Sequence, residues 1–360
     1  MKSKGNRTSK RMTPATIWDV AHAAGVSVST VSKALNGRGQ LRDETRERVR
    51  SSAGRLGFRP NHLAQSLLRK RSFTVGLIST DSYGRFSIPV LEGIENALEA
   101  AQISVFLCNA TDNPEREKLH IESLIAKRVD GIIVTGRRAD RRRPLDLAGA
   151  SLPVIYAFAQ VSDPKALCLI PDDFGGARMG CEHLIARGRR HIAHVTGPES
   201  FEAVRQRRKG YTRALSEQGW ACPSERVLVG SWSEAWGHDA AIRLLGLRHP
   251  VDAIFCGSDQ IARGVVDALR DRGVRVPDDV AVVGFDNWEI IAAATRPPLT
   301  TIDMNLSELG RQAGLRLLAA IDGQRESGIV HQPCSLVVRE SCGTSHADRS
   351  AIAVERAGRP

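Results

Sequence analysis

Residues 26–36 read "VSVSTVSKALN", and how this stretch is read decides the fold. Seven of its eleven residues are Val, Ser or Thr. These types form helices poorly, because branched side chains lose rotamer freedom and hydroxyls compete for backbone hydrogen bonds. The surroundings are nevertheless periodic. In "TIWDVAHAAGVSVSTVSKALN" (16–36), Ile17, Val20, Ala21 and Ala24 mark one face of a helix running from Ile17 to Ala24, while Val31 and Leu35 anchor a second. Gly25 supplies the backbone freedom that a tight turn needs. Ser27 stands where a side-chain oxygen would cap the second helix.

Helix, turn and helix leave Val28, Ser29, Ser32 and Lys33 facing outward. Small hydroxyls permit close approach to phosphates and base edges, Val can touch a thymine methyl, and Lys can reach guanine or phosphate. An ordinary helical hairpin has the same pattern, so charge must separate the two readings. Residues 1–71 carry 16 Lys and Arg against 4 Asp and Glu, whereas the 360-residue chain carries 51 against 40. The basic excess is confined to the first fifth, and a basic module on a neutral body is the electrostatic footprint of nucleic-acid binding.

A composition of 42% hydrophobic and 25% charged residues is ordinary for a globular protein. The opening "MKSKGNRTSKRMTPAT" lacks an apolar export segment and no later run approaches a membrane span, so the expected location is the cytoplasm, on the nucleoid. Cys108, Cys168, Cys181, Cys222, Cys256, Cys334 and Cys342 are scattered, with no C-x-x-C pair or Cys/His cluster, and read as reduced structural thiols. No metal or cofactor is expected. "VFLCNATDN" and "IPDDFGGARMG" depart from both phosphate-loop patterns, and no nucleophile elbow or HExxH is present, so no motif supports catalysis.

Past residue 72 short apolar runs recur with helical segments between many of them: 74–79, 104–109, 131–136, 153–159, 191–197, 226–231, 252–259 and 280–286. Runs apolar on both faces imply largely parallel sheets, and two similar series imply two doubly wound lobes. Ligands of such folds bind beyond the carboxyl ends of strands, where Asp259 and Asp286 would lie. The run "RRADRRR" (137–143) reads as a solvated loop, with an anionic-ligand contact as the other reading.

Thr16-Ile17, Asp19-Val20-Ala21, Ala24-Gly25-Val26-Ser27, Thr30-Val31-Ser32 and Leu35-Asn36 together resemble the headpiece signature of the lactose-repressor/galactose-repressor family. "GFRPNHLAQSLL" (57–68) resembles that family's hinge helix, and the order of later strands extends the resemblance to about Cys342. It implies base reading by Val28, Ser29 and Lys33, with Thr16, Ser27, Thr30, Ser32 and Asn36 contacting backbone or framing the helix. In the hinge, Asn61 would meet backbone, Ala64 would lie against the minor groove and Leu67 would wedge between base pairs. So short a helix is marginal alone, which fits hinge segments that fold when two protomers meet on DNA.

The body resembles periplasmic sugar-binding proteins, which implies an effector site at Arg207, Asp286, Trp232, Ser258 and Asp259. Phe158 departs from sugar-responsive relatives, which often carry Asp at that place, and makes the pocket less suited to a polyhydroxylated ligand. The expected organisation is a disordered basic arm (1–15), a helix-turn-helix headpiece (16–59) whose third helix starts at an Asp43 cap and carries Val49 and Leu56, a hinge helix and linker (60–72), a two-lobed effector-binding and dimerisation domain (73–343), and a disordered tail (344–360). The tail lacks leucine heptads, favouring a dimer over a tetramer.

These readings point to a ligand-responsive transcriptional regulator, a repressor in the expected sense, binding double-stranded, pseudo-palindromic operator DNA as a homodimer. Its effector would be a sugar or related metabolite. A solute-binding protein without DNA function predicts a neutral N-terminus; an enzyme on a sugar-binding scaffold needs an acid/base pair or nucleophile.

Overall fold

The computed structural model describes residues 15–35, 39–58, 71–81, 84–136 and 138–343. The basic arm before residue 15, Asn36, the hinge helix with Asn61, Ala64 and Leu67, and the tail after residue 343 lie outside the described residues. The chain divides into two units, Met1–Arg71 and Ser72–Pro360.

In the first unit three helices, α1 (Ile17–Ala24), α2 (Val28–Leu35) and α3 (Asp43–Arg55), enclose a small core. Val20, Ala21, Ala24, Val31, Ala34, Val49 and Ala53 are buried, with Ile17, Val28, Leu35 and Leu41 packed around them. Four expectations are corrected here. Val28 faces outward only in part; it is half-buried against the core. The buried anchors of α2 are Val31 and Ala34, and Leu35 is only partly covered. Asp43 begins α3 rather than capping it: the cap position is Arg42, with no side-chain bond, and Asp43 and Glu44 face the positive end of the helix dipole from its first turn. Leu56 falls just past the helix and is exposed.

The second unit holds two six-stranded sheets. The first runs β13-β7-β5-β3-β1-β2, from β1 (Thr74–Ser79), β2 (Ser104–Asn109), β3 (Gly131–Thr135), β5 (Val154–Ala157), β7 (Leu167–Pro171) and β13 (Gly328–Gln332), all parallel. The second runs β14-β12-β11-β10-β8-β9, from β8 (Ile192–Thr196), β9 (Val227–Val229), β10 (Ala253–Cys256), β11 (Ala281–Phe285), β12 (Thr300–Asp303) and β14 (Ser335–Val337); only β14 is antiparallel. A short parallel pair joins β4 (Arg141–Arg142) to β6 (Gln160–Val161).

Every apolar run read from the sequence is a strand, but "SVFLCN" is not buried on both faces. It is edge strand β2, and Phe106 and Leu107 remain 44% and 46% exposed. The "RRADRRR" segment is also more than a solvated loop. Ala139 is buried, β4 pairs with β6, and Arg142 bonds Glu117 at 2.6 Å.

Among the described residues the chain passes between the lobes three times: from β7 into α6 (Asp173–Ala186), from β12, which follows the short helix α10 (Glu289–Ala292), into α11 (Leu306–Ile321), and from β13 to β14. The crossings are tied together, with the Asp172 N–H donating to the Gln332 carbonyl at 2.8 Å and the Asn305 side-chain amide to the Pro333 carbonyl at 2.8 Å. In the first lobe α11 packs on α4 (Ser87–Leu98). A Cβ on Gly93 would sit 1.8 Å from the Ser307 carbonyl, so this helix crossing requires glycine. α5 (Pro114–Ala126) covers the opposite face, where Ile121 and Leu124 pack. In the second lobe α6 and α7 (Glu202–Glu217) cover one face of the sheet, and α8 (Glu234–Leu245) and α9 (Asp259–Asp271) the other. The doubly wound two-lobe body is therefore the observed fold. Among the described residues no helix is long and apolar enough to cross a membrane.

Candidate DNA-reading helix and interlobe cleft

The helix pair of the first unit is set by its caps. Thr16 and Asp19 form a reciprocal capping box: the Asp19 carboxylate accepts from the Thr16 N–H at 2.8 Å and hydroxyl at 2.7 Å, and the Thr16 hydroxyl accepts from the Asp19 N–H at 3.4 Å. The bonds from Thr16 hold the Asp19 carboxyl below its usual range. Gly25 ends α1 in the left-handed conformation (φ 62°), where a side chain would be strained. Ser27 then accepts the Thr30 N–H at 3.1 Å and shares hydroxyl contacts of 2.9 Å with both Ser29 and Thr30. Arg48 of α3 donates to the Ala24 carbonyl at 3.0 Å, fixing the end of α1.

The result is a helix whose N-terminus gathers three hydroxyls, and helix N-termini suit an anion. Ser29 and Lys33, one turn apart, are exposed; Ser32 and Val28 are half-exposed. The Lys33 stem lies along Gly39.

In the second unit, candidate residues from distant segments meet where the carboxyl ends of the two sheets face each other. Arg207 on α7 is buried, and its Nε and Nη2 reach one Asp173 oxygen at 2.8 and 2.7 Å. Nη1 donates to the Gly257 carbonyl and lies 3.5 Å from Asp286, and the guanidinium stands 3.6 Å from the centre of the Phe285 ring. Burial opposes the Arg207 charge, but Asp173 and Asp286 more than offset it and raise its pKa. Asp286 follows β11 with a left-handed backbone (φ 105°), a strained conformation for a non-glycine residue. Burial raises its carboxyl pKa even though Arg85 and Arg207 flank it.

Across the cleft, in the loop after β1, Arg85 donates to Asp286 and stacks between Trp288 and Phe86, 4.4 and 4.8 Å from their ring centres. Phe158, also left-handed (φ 57°), packs on Phe86 at 5.1 Å. Two further contacts bridge the lobes: Asp140 accepts the Glu202 N–H at 2.7 Å, and Arg138 lies 5.2 Å from the Phe201 ring centre. Beside the crossings a cavity of about 340 Å³ is lined from both lobes by residues including Arg141, Gln160, Asp172, Asp173, Glu202 and His331.

The remaining predicted residues have local employment. Ser258 caps α9 by accepting the Ile261 N–H at 3.2 Å. Asp259 is fully buried, accepting from the Thr301 hydroxyl and from the Trp288 N–H at 2.7 Å. Burial and the nearby Asp286 push its pKa up to about 8. Trp232 packs edge-on against Phe201 at 5.8 Å.

Two family models match the chain: bacterial regulatory proteins of the lacI family over residues 16–61, and the periplasmic binding protein-like domain over 181–342. The HTH-type transcriptional repressor PurR of Mannheimia succiniciproducens is 33% identical over 332 residues, covering 91% of this chain and 98% of the relative. The chain belongs to the lacI family of bacterial regulatory proteins. Catabolite control protein A of Priestia megaterium is 32% identical over 91% of this chain and 98% of its own. Among solved structures, the lac repressor dimer bound to operator and the anti-inducer ONPF matches with a TM-score of 0.70 at 30% identity, over 92% of this chain and 99% of that one. The transcriptional regulator CelR–cellobiose complex matches at 0.64 and 29% identity, over 91% and 99%.

As a lacI-family protein the chain is a ligand-responsive, DNA-binding transcriptional regulator. Two members of its cleft escaped sequence reading. Asp173 lies in "IPDDFGGARMG", which matched no phosphate loop, and its neighbouring Asp172 with the following glycines marks a helix start. Arg85 lies 201 residues from Asp286, in a loop with no periodic signal.

Proposed function

We propose that this regulator represses transcription by binding a pseudo-palindromic operator as a homodimer, with a small metabolite in the interlobe cleft controlling the grip on DNA. The observation that carries the reading is the capped α1–turn–α2 hairpin, which leaves Ser29 and Lys33 exposed on a strongly basic unit. In this reading α2 enters the major groove; Val28, Ser29 and Lys33 read bases, while Thr16, Ser27, Thr30, Ser32 and Asn36 position the helix. In the hinge, Asn61 meets the DNA backbone, Ala64 lies against the minor groove and Leu67 wedges between base pairs. Arg207 and Asp286 grip the effector, with Trp232 and Phe158 as walls and Ser258 and Asp259 holding the strand ends. The operator-bound lac repressor dimer and the cellobiose-bound CelR support both halves by similarity.

The unpaired β2 edge, with Phe106 and Leu107 exposed, is the proposed dimer face. The protein works in the cytoplasm, on the nucleoid, and no catalytic step belongs to this reading. Selection from a random DNA library across a salt series tests it. Selected sites should show two-fold symmetry, and affinity should fall steeply with salt. Leu67→Ala should weaken specific binding more than nonspecific binding. Asymmetric sites, or affinity indifferent to salt, would overturn the proposal.

A further inference from the structure

We propose that Arg85 makes the cleft selective for an anionic effector, a metabolite whose carboxylate or phosphate docks on the Nε edge of its guanidinium. The inference rests on the effector reading of the same cleft and names the class of ligand it takes.

The acidic groups beside Arg85 and Arg207 are already engaged by the protein itself. Asp173 is bound by Arg207 through two nitrogens. Asp286 lies between Arg85 and Arg207 and has a guanidinium at each oxygen. Asp259 takes a hydroxyl and a backbone N–H, and its raised pKa of about 8 leaves it mainly uncharged at neutral pH. A ligand hydroxyl seeking one of these three carboxylates must therefore compete with a donor of the protein.

A donor, by contrast, is left over. The Arg85 Nε is buried without a hydrogen-bond partner, and Nη1 reaches only the Gln260 oxygen at 3.5 Å. The Arg85 side chain is only 15% exposed, and its guanidinium is positioned by the Trp288 and Phe86 rings, which satisfy its faces but not its edge. Thr135, at the carboxyl end of β3 in the same lobe, also has a buried hydroxyl without a partner. The first lobe presents a cation and the aromatic faces of Phe86 and Phe158 here, and Phe158 stands where a carboxylate would repel an anion. What the Nε edge lacks is an acceptor, and oxygens of an oxyanion make the strongest bonds with a guanidinium edge.

The test is calorimetric titration of the full chain with D-gluconate, D-glucose 6-phosphate and inorganic phosphate, each against D-glucose at matched ionic strength. At least one anion is expected to bind at least tenfold tighter than glucose. In Arg85→Gln that preference should disappear, while Arg85→Lys, which keeps the charge but loses the Nε edge, should retain part of it. Equal binding of glucose and the anions, no binding by any anion, or an anion preference that survives in Arg85→Gln would each overturn the proposal. The wider effector reading fails on a different result: retention of ligand binding in a folded Arg207→Ala variant.

Discussion

Arg207 keeps its charge while nearly closed to water because Asp173 supplies two short contacts and Phe285 a ring face. Removing one side of such a pair strands the other, which costs about 3–5 kcal/mol in buried settings. Arg207→Ala should therefore lose roughly that much stability by urea unfolding, and Asp173→Ala in the same chain should cost less than the sum of the two single changes. Asp259 has the opposite electrostatic position. With its pKa raised to about 8, the native state holds a proton that the unfolded chain has released, so its contribution to stability falls as pH climbs from the usual carboxylate range toward 8. Relative to wild type, Asp259→Asn should gain stability between about pH 5 and pH 8, by more than the ~1.4 kcal/mol equivalent of one pKa unit. Urea titrations of both proteins at the two pH values measure this; an unchanged difference would refute it.

At the scale of elements, α2 shows how a sequence of mediocre helix formers becomes a defined helix. Its eight residues start at the Ser27 cap and are pinned by Val31 and Ala34, both fully buried. The Val and Ser residues that lower its propensity are those that let its outer face come close to a partner. Ser27→Ala should destabilise the headpiece by about 1 kcal/mol, seen as faster hydrogen exchange of α2 amides while the exchange of β10 and β11 stays unchanged. The expectation that Leu35 anchors the helix missed Ala34 because alanine carries little periodic signal, although it fits the tight space between helices. Asp43 and Val28 were misplaced for a similar reason: a cap and its neighbour differ by one residue, and a short amphipathic helix can be turned by half a residue without altering its pattern.

For the whole molecule, two lobes linked by three crossings are held together at Arg85–Asp286, Asp140–Glu202 and Arg138–Phe201. Each contact joins segments separated by dozens to hundreds of residues, so the closed cleft depends on the lobes' folding first. The exposed edge at β2 is the other feature of this scale, because an open strand edge with apolar side chains is a hazard unless something covers it. Phe106→Glu should shift the protein toward monomer in sedimentation equilibrium. It should also weaken operator binding at least tenfold, since two half-sites would no longer be held by one linked pair of headpieces. A dimer that survives this change would place the interface elsewhere.

Much was legible in the amino-acid order because the determining signals are local: the turn at Gly25, the Ser27 cap, the concentration of basic charge in residues 1–71, and eight apolar runs that all became strands. Strands β12, β13 and β14 were missed, being rich in threonine or only half-buried, as were the two-residue β4 and β6 and the buried β7. The sequence alone placed Asp286 at the carboxyl end of a strand, and pointed to Arg207 only through family resemblance. Tertiary structure decided that Asp173 holds Arg207, that Asp259 is consumed internally, and that Arg85 crosses the cleft to Asp286. The physical reason is range: caps, turns and periodicity act over a few neighbouring residues, whereas burial and ion pairing depend on which distant segments the completed sheets bring face to face.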